Sequence, residues 1–352
     1  MSKKTIVVLF GGQSSEHEVS CVSAQTIIHA INTEEYQIVR IGITKEGHWL
    51  YVENTEDIAS GAWKESAVTA VISPDATRKE VICIREDGIQ TIPVDLVFPV
   101  LHGLYGEDGT VQGLFELAKL PYVGCGVIAS ALGMDKLYAK IVVDTLGISQ
   151  AKYVPVRKHE LENMDQVTER IEEKLSYPMF VKPSNAGSSK GITKAHDRKE
   201  LEEALVEAAR HDVKILVEET IVGRELECAV LGGIDVKASG VGEIISAAEF
   251  YDYDAKYNNA ESKTIIGPEL PEGKEDEIRD AAVRIFKALD GYGLARVDFF
   301  LEEGTNRVVF NEINTLPGFT GISMYPMLWK AKGIEVSSLV ETLIQLAYER
   351  RS

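Results

Sequence analysis

Hydrophobic positions in this chain come in short, nearly unbroken runs separated by stretches with helical spacing. Residues 5–10 are almost wholly apolar and stop at Gly11-Gly12, after which residues 19–31 repeat apolar positions at the interval of a helix. That order, buried strand then glycine turn then helix, is the opening unit of an open α/β sheet. Further apolar runs at 37–43, 81–84 and 96–101, with a helical stretch at 111–120, complete one expected unit over residues 1–125. The small, glycine-rich segment 121–126 marks its end. A helix at 130–146, a strand at 179–183, a charged helix at 198–210 and a strand at 215–218 make a second unit, 126–216. Strands at 225–231, 294–301 and 307–314, and helices at 274–289 and 337–348, make a third, 217–352. The fold class is thus mixed, α/β and α+β, with three domains.

The last two strands carry charge where a core would exclude it. Side chains alternate across a strand, so Arg296 and Asp298 share one face, and Glu312 and Asn314 share another. Two carboxylates and an amide oxygen are hard donors suited to Mg²⁺, which keeps sites for water and phosphate oxygens. A nucleotide substrate follows, and Arg296 beside the metal suits charge stabilisation in a transition state. Unpaired charges inside strands are costly, so Arg296 and Lys182 each require a phosphate or carboxylate partner.

Charge and cysteine usage narrow the class. A formal net charge of -18 argues against a phosphate-backbone binder, which needs a basic face. Cys21, Cys83, Cys125 and Cys228 form no Cys-x-x-Cys pair, which disfavours zinc and a disulfide framework. The sequence enters a strand without a signal-peptide pattern, and no apolar run approaches a membrane span. A cytoplasmic protein with no nucleic-acid or membrane partner is expected.

Three loops carry further candidate chemistry. Residues 184–191, Ser-Asn-Ala-Gly-Ser-Ser-Lys-Gly, follow the strand with Lys182 and read either as a phosphate cradle of backbone N–H groups or as a surface hairpin. The pattern matches neither a Walker loop nor a dinucleotide fingerprint. Glu16, after Gly11-Gly12, is placed to meet a substrate ammonium or to complement a helix dipole. His102, in a segment with glycines at 103, 106 and 109, stands at a sheet's carboxyl edge, as a functional residue or within a tight structural turn.

Taken in order, residues 11–20, 102–110, Met134-Asp135-Lys136, 180–191, 250–257, 295–298 and 311–320 resemble the D-alanine-D-alanine ligases of the ATP-grasp superfamily, and the likeness runs nearly end to end. The resemblance implies an ATP-grasp fold whose first domain is a Rossmann-like open α/β unit, and ATP-dependent joining of two D-alanine molecules through an acylphosphate, for peptidoglycan precursors. It implies ATP and two Mg²⁺ (or Mn²⁺) as cofactors, and a homodimer. Carried over by position, Lys136, Lys182, Ser188 and Ser189 meet the nucleotide, Glu218 and the backbone at Ile221 read adenine, and Glu225 binds ribose. Asp298, Glu312 and Asn314 hold metal. Arg296 and the Gly318 N–H face the oxyanion. Tyr251, Lys256 and Tyr257 belong to a closing loop that joins Glu16 and Ser188.

His102, Ser323 and Met324 line the amino-acid subsites in this reading, Ser323 for a carboxylate and Met324 for a methyl group. Lys256-Tyr257, and the lack of any histidine after His211, disfavour a D-lactate acceptor. A basic residue at the Met324 position would favour D-serine, which remains the alternative acceptor. A different ATP-grasp ligase would need another acceptor pocket. A non-catalytic nucleotide sensor would be expected to lack a metal ligand or Arg296.

Overall fold

The computed structural model describes residues 3–187, 190–245 and 263–350. Its first sheet has seven strands in the order β6-β5-β4-β3-β2-β1-β7, comprising β1 (Lys4–Gly11), β2 (Tyr36–Ile43), β3 (Trp49–Val52), β4 (Thr69–Ile72), β5 (Glu80–Arg85), β6 (Gly88–Pro93) and β7 (Leu96–Leu101). Only β1 with β2 and β1 with β7 pair parallel. The remaining strands form an antiparallel extension. The Rossmann-like open α/β pattern expected for residues 1–125 is therefore confined to three parallel strands. Strands β3, β4 and β6 are too short or too exposed to produce a visible apolar alternation.

A second sheet, ordered β10-β9-β11-β8, comprises β8 (Tyr153–Arg157), β9 (Met179–Pro183), β10 (Thr193–Ala195) and β11 (Lys214–Glu219). The expected boundary at 216–217 falls inside β11, which pairs with both β8 and β9. The single helix expected over 130–146 is two, Val127–Met134 and Lys136–Asp144. Asp135 breaks them because its extended backbone lets its carboxylate accept the Tyr138 N–H at 3.2 Å, an N-cap. Cys125, Ala129 and Val143 join the core of the third sheet, so this segment, expected to open the second unit, packs with the third.

The third sheet, β14-β13-β12-β15-β16, comprises β12 (Gly223–Gly232), β13 (Val236–Ile245), β14 (Lys263–Ile266), β15 (Gly293–Glu302) and β16 (Val308–Asn314). Alternation divides it cleanly. Ala295, Val297 and Phe299 of β15, with Leu226, Cys228 and Val230 of β12, pack on the helix Lys274–Ala288. The other face is apolar only in part. Ala229, Leu231 and Leu294 meet helices Met324–Ala331 and Val336–Glu349, in a core continuous with Ile6, Val8 and Phe10 of β1. Two residues along the same strands that face turns charged, with Glu225 and Glu227 on β12 and Arg296 and Asp298 on β15.

Candidate active site

The charged half of that face is set by strand register. On β15 and β16, Arg296 lies opposite Asn314 and Asp298 opposite Glu312, so the expected convergence of these four residues is present. A β-bulge beyond Asp298 leaves Asn311 unpaired, and it turns Phe310 onto the core face against Phe299. Strict alternation would have put Phe310 beside Glu312. On the other side of β15, Glu227 of β12 lies opposite Asp298, which puts three carboxylates abreast on adjacent strands.

Arg296 is buried among them. Its Nε and Nη2 donate to the two oxygens of Asp298 at 2.8 and 2.7 Å, and Glu227 Oε2 lies 3.0 Å from the same Nε. Burial opposes the charge, yet Asp298 and Glu227 outweigh it and hold the guanidinium well above its ordinary range. The expected carboxylate partner of a strand-interior arginine is thus met twice over. Asn314 Nδ2 donates to Asp298 Oδ2 at 3.0 Å. Asp298, Glu312 and Asn314 together are an all-oxygen donor set, which fits a hard divalent cation.

The opposing wall carries lysines. Lys182 of β9 pairs with Glu218 Oε2, and Lys140, one turn into the helix Lys136–Asp144, pairs with Glu218 Oε1 at 2.6 Å. Burial would raise the Glu218 carboxyl, but the two ammonium groups pull it down to about 2. Lys136 Nζ donates to the Ala186 carbonyl at 3.0 Å and stands 3.3 Å from Glu312 Oε2, so it ties the 184–191 loop to the carboxylates of β15 and β16. Asp135 fixes the start of that loop by accepting from Ser184 Oγ at 2.6 Å and Asn185 Nδ2 at 3.2 Å. Lys194, opposite Phe180 in the β9–β10 register, adds another cation to this wall.

Between the walls is a cleft of about 640 Å³. It is lined by the expected residues Glu16, Lys136, Lys182, Glu218, Ile221, Glu225, Arg296, Asp298, Glu312 and Asn314. Glu16 closes one end, since a Cβ added to Gly187 or to Gly103 would lie 3.4 Å from its Oε2. Beside it Glu107 accepts the N–H of Gly103 and of Leu316, each at 2.8 Å, joining the first domain to the loop after β16. Burial, with the neighbouring Glu16 charge, pushes Glu107 up to about 7 against those two donors.

Other expected residues lie elsewhere. His102 is buried, donates through Nδ1 to the Leu316 carbonyl at 2.8 Å, and borders a separate, smaller pocket of about 240 Å³. A carbonyl only accepts, so that bond fixes a proton on Nδ1. The Ser323 hydroxyl receives the Thr320 N–H at 2.9 Å and sits where a Cβ on Gly318 would approach to 2.8 Å, so a side chain at 318 would displace the hydroxyl from that bond. Met324, expected in a substrate subsite, is 3 % exposed and packs in the core against Gly242. It begins an amphipathic helix and faces inward with Tyr325 and Leu328. Ser188, Ser189, Tyr251, Lys256 and Tyr257 lie outside the described residues.

Glu107, Glu227 and the Arg224–Glu243 fork, with contacts of 2.7 and 2.8 Å, are not marked out by the sequence pattern used above. A signal existed for Glu227. Glu225 and Glu227 recur at the strand interval within an apolar run, the same mark that identified Arg296 and Asp298. Among the described residues no helix is long and apolar enough to cross a membrane.

The chain is similar to known proteins along its whole length. A family profile described as "D-ala D-ala ligase N-terminus" matches residues 5–125, and one described as "D-ala D-ala ligase C-terminus" matches residues 142–345. Proteins named D-alanine--D-alanine ligase from Acetivibrio thermocellus and Caldicellulosiruptor bescii are 54% and 50% identical to it, each over 99% of this chain and 96% of the relative. Among solved structures, the VanG D-Ala:D-Ser ligase from Enterococcus faecalis matches with TM-score 0.90 at 42% identity, over 98% of this chain and all of that one. The D-alanine-D-alanine ligase from Coxiella burnetii matches with TM-score 0.87 at 37% identity, over 100% and 95% of the two chains.

Proposed function

The chain belongs to the D-alanine–D-alanine ligase family, with its ATP-grasp fold, and from that premise we propose that it joins two D-alanine molecules at the expense of ATP for peptidoglycan precursor synthesis. The observation that carries this reading is the pairing of Asp298 with Glu312 across β15 and β16, with Arg296 beside them and Lys136 and Lys182 on the facing wall of one cleft. A polyphosphate needs cations on one side and a metal-holding carboxylate pair on the other. The cleft supplies both.

Asp298, Glu312 and Asn314 would hold two Mg²⁺, which when bound neutralise the phosphate oxygens during transfer. Lys136 and Lys182 turn from their carboxylate partners toward phosphate. Glu218 and the backbone at Ile221 meet adenine, and Glu225 meets ribose. The 184–191 loop, with Ser188 and Ser189, covers the phosphates, and Tyr251, Lys256 and Tyr257 belong to the segment that excludes water. Glu16 orients the first D-alanine, and His102, bound to the Leu316 carbonyl, steadies the loop beside it. Its carboxylate oxygen attacks the γ-phosphorus, releasing ADP and forming an acylphosphate. The second amine, its ammonium proton given up to solvent, attacks the carbonyl carbon, and its nitrogen sheds a further proton as the C–N bond forms. Arg296 and the Gly318 N–H stabilise the resulting oxyanion until the C–O bond to phosphate breaks and the peptide remains.

Ser323 is assigned to the second carboxylate. The buried Met324 supports that subsite from behind rather than lining it. ATP as substrate favours a cytoplasmic setting. We further infer a homodimer and three units with bounds near 125 and 216, the second bound shifted to the end of β11. Purified protein with Mg-ATP and D-alanine, alone or mixed with D-serine or D-lactate, tests the reading, with products resolved by mass spectrometry. D-Alanyl-D-alanine with stoichiometric ADP is the expected result. A dominant D-Ala-D-Ser product would move the chain to the acceptor class named for the VanG relative. No phosphate release with any amino acid would sink the ligase assignment.

A further inference from the structure

The hydrogen bonds that Asp298 accepts occupy the oxygens that a cation would need. Oδ1 receives Arg296 Nε–H, and Oδ2 receives both Arg296 Nη2–H and Asn314 Nδ2–H. Ligation by Asp298 would set a divalent cation against a guanidinium of like charge on one carboxylate, which favours release of Arg296. A guanidinium this deeply buried cannot be left without a counter-charge, because stripping a buried ion of its partner is strongly unfavourable. The counter-charge is already in place. Glu227 is 4 % exposed, fixed opposite Asp298 by the β12–β15 register, and its Oε2 lies 3.0 Å from the same Nε whose hydrogen points at Asp298.

We propose that Glu227 is a positioning residue that takes over the Arg296 side chain when Asp298 turns to a divalent cation, keeping the guanidinium aimed into the cleft for the peptide-forming step. The inference rests on the ligase reading only for the identity of that step. The exchange of partners is a property of the three side chains. It divides the work of two carboxylates that strand periodicity alone does not distinguish: Asp298 alternates between arginine and metal, while Glu227 stays with arginine.

Two measurements test this. With saturating Mg-ATP and D-alanine, Glu227→Gln should lower kcat at least about tenfold while KM for ATP stays within about twofold, the signature of a displaced group rather than lost nucleotide binding. Added to Arg296→Met, the same change should cost no further kcat, since the group it positions is gone. Separately, free Mn²⁺ measured by electron paramagnetic resonance in a titration of the nucleotide-free chain should show binding weakened by at least about threefold in Glu227→Gln, and within about twofold of the parent in Glu227→Asp. An unchanged kcat, or an equal loss with and without Arg296, overturns the proposal, as does unaltered Mn²⁺ affinity. If Glu227→Gln does not fold, Arg296→Met compared with the charge-neutral double variant, and the Glu227→Asp titration, decide the matter by the same criteria. A parent protein that makes no dipeptide would defeat the ligase reading and leave the Mn²⁺ result to judge Glu227 alone.

Discussion

Lys136 and Glu312 stand 3.3 Å apart across the cleft, the first residue of a helix meeting a carboxylate on the last strand of the third sheet. The same ammonium holds the Ala186 carbonyl, so one side chain spans the 184–191 loop and the carboxylates of β15 and β16. Lys136→Ala should raise KM for ATP at least about tenfold, the scale of one lost charge-assisted contact, with a smaller effect on KM for D-alanine. Steady-state kinetics varying each substrate will show it. An unaltered KM for ATP removes Lys136 from phosphate contact.

Arg296→Met should lower kcat at least about 10²-fold, the cost of one oxyanion donor. It also leaves Asp298 and Glu227 buried without their cation, so a loss of about 3–5 kcal/mol in stability is expected by denaturant titration. Turnover near the parent value in folded protein would take Arg296 out of the proposed step.

Glu107 sets a pH dependence on the neutral side. Its carboxyl titrates at about 7 in the fold against an ordinary 4.5, because burial and Glu16 disfavour its charge. The folded state then holds the proton more tightly than the unfolded chain. This contribution to stability is fully present below about pH 4.5 and is lost as pH rises through about 7, and the gap amounts to about 3 kcal/mol. Glu107→Gln should abolish that component, so the advantage of the parent over the variant shrinks by about this much between pH 5 and 8. A constant difference across that range would refute the shift.

Glu218 has the opposite sign. Burial works against its charge, but Lys140 and Lys182 prevail and depress it to about 2, so its contribution is present above 4.5 and is lost as pH falls toward 2. Glu218→Gln leaves two buried ammonium groups facing one another, which should cost about 3–5 kcal/mol at pH 7. The deficit should narrow progressively below pH 4.5. Equal stability of parent and variant at pH 7 would mean that the triad contributes nothing net.

What can be read from the sequence follows from local periodicity. Arg296 with Asp298, and Glu312 with Asn314, obey the two-residue interval of a strand, and Lys182 stands out as a charge in an apolar run. Pairing between distant strands has no such local mark. Nothing in the order of residues says that β12 lies against β15, so periodicity marks Glu227 as a charge in an apolar strand but not as a partner of Arg296. Met324 misleads for a related reason: its neighbours in sequence are candidate site residues, whereas its neighbours in space are Gly242 and the core helices. The break at Asp135 is hidden because both flanking helices keep apolar spacing through it, and only the cap geometry separates them.

One face of the third sheet is hydrocarbon at Ala229, Leu231 and Leu294 and charged at Glu227, Arg296 and Asp298, on the same two strands. The backbone that carries the ionic cluster is therefore the backbone whose other end is anchored in the largest core. Segments held this way open only with the core behind them, and their amides are expected to exchange with solvent among the slowest. Heat is consequently expected to reach this cluster only by unfolding the third sheet with the core behind it.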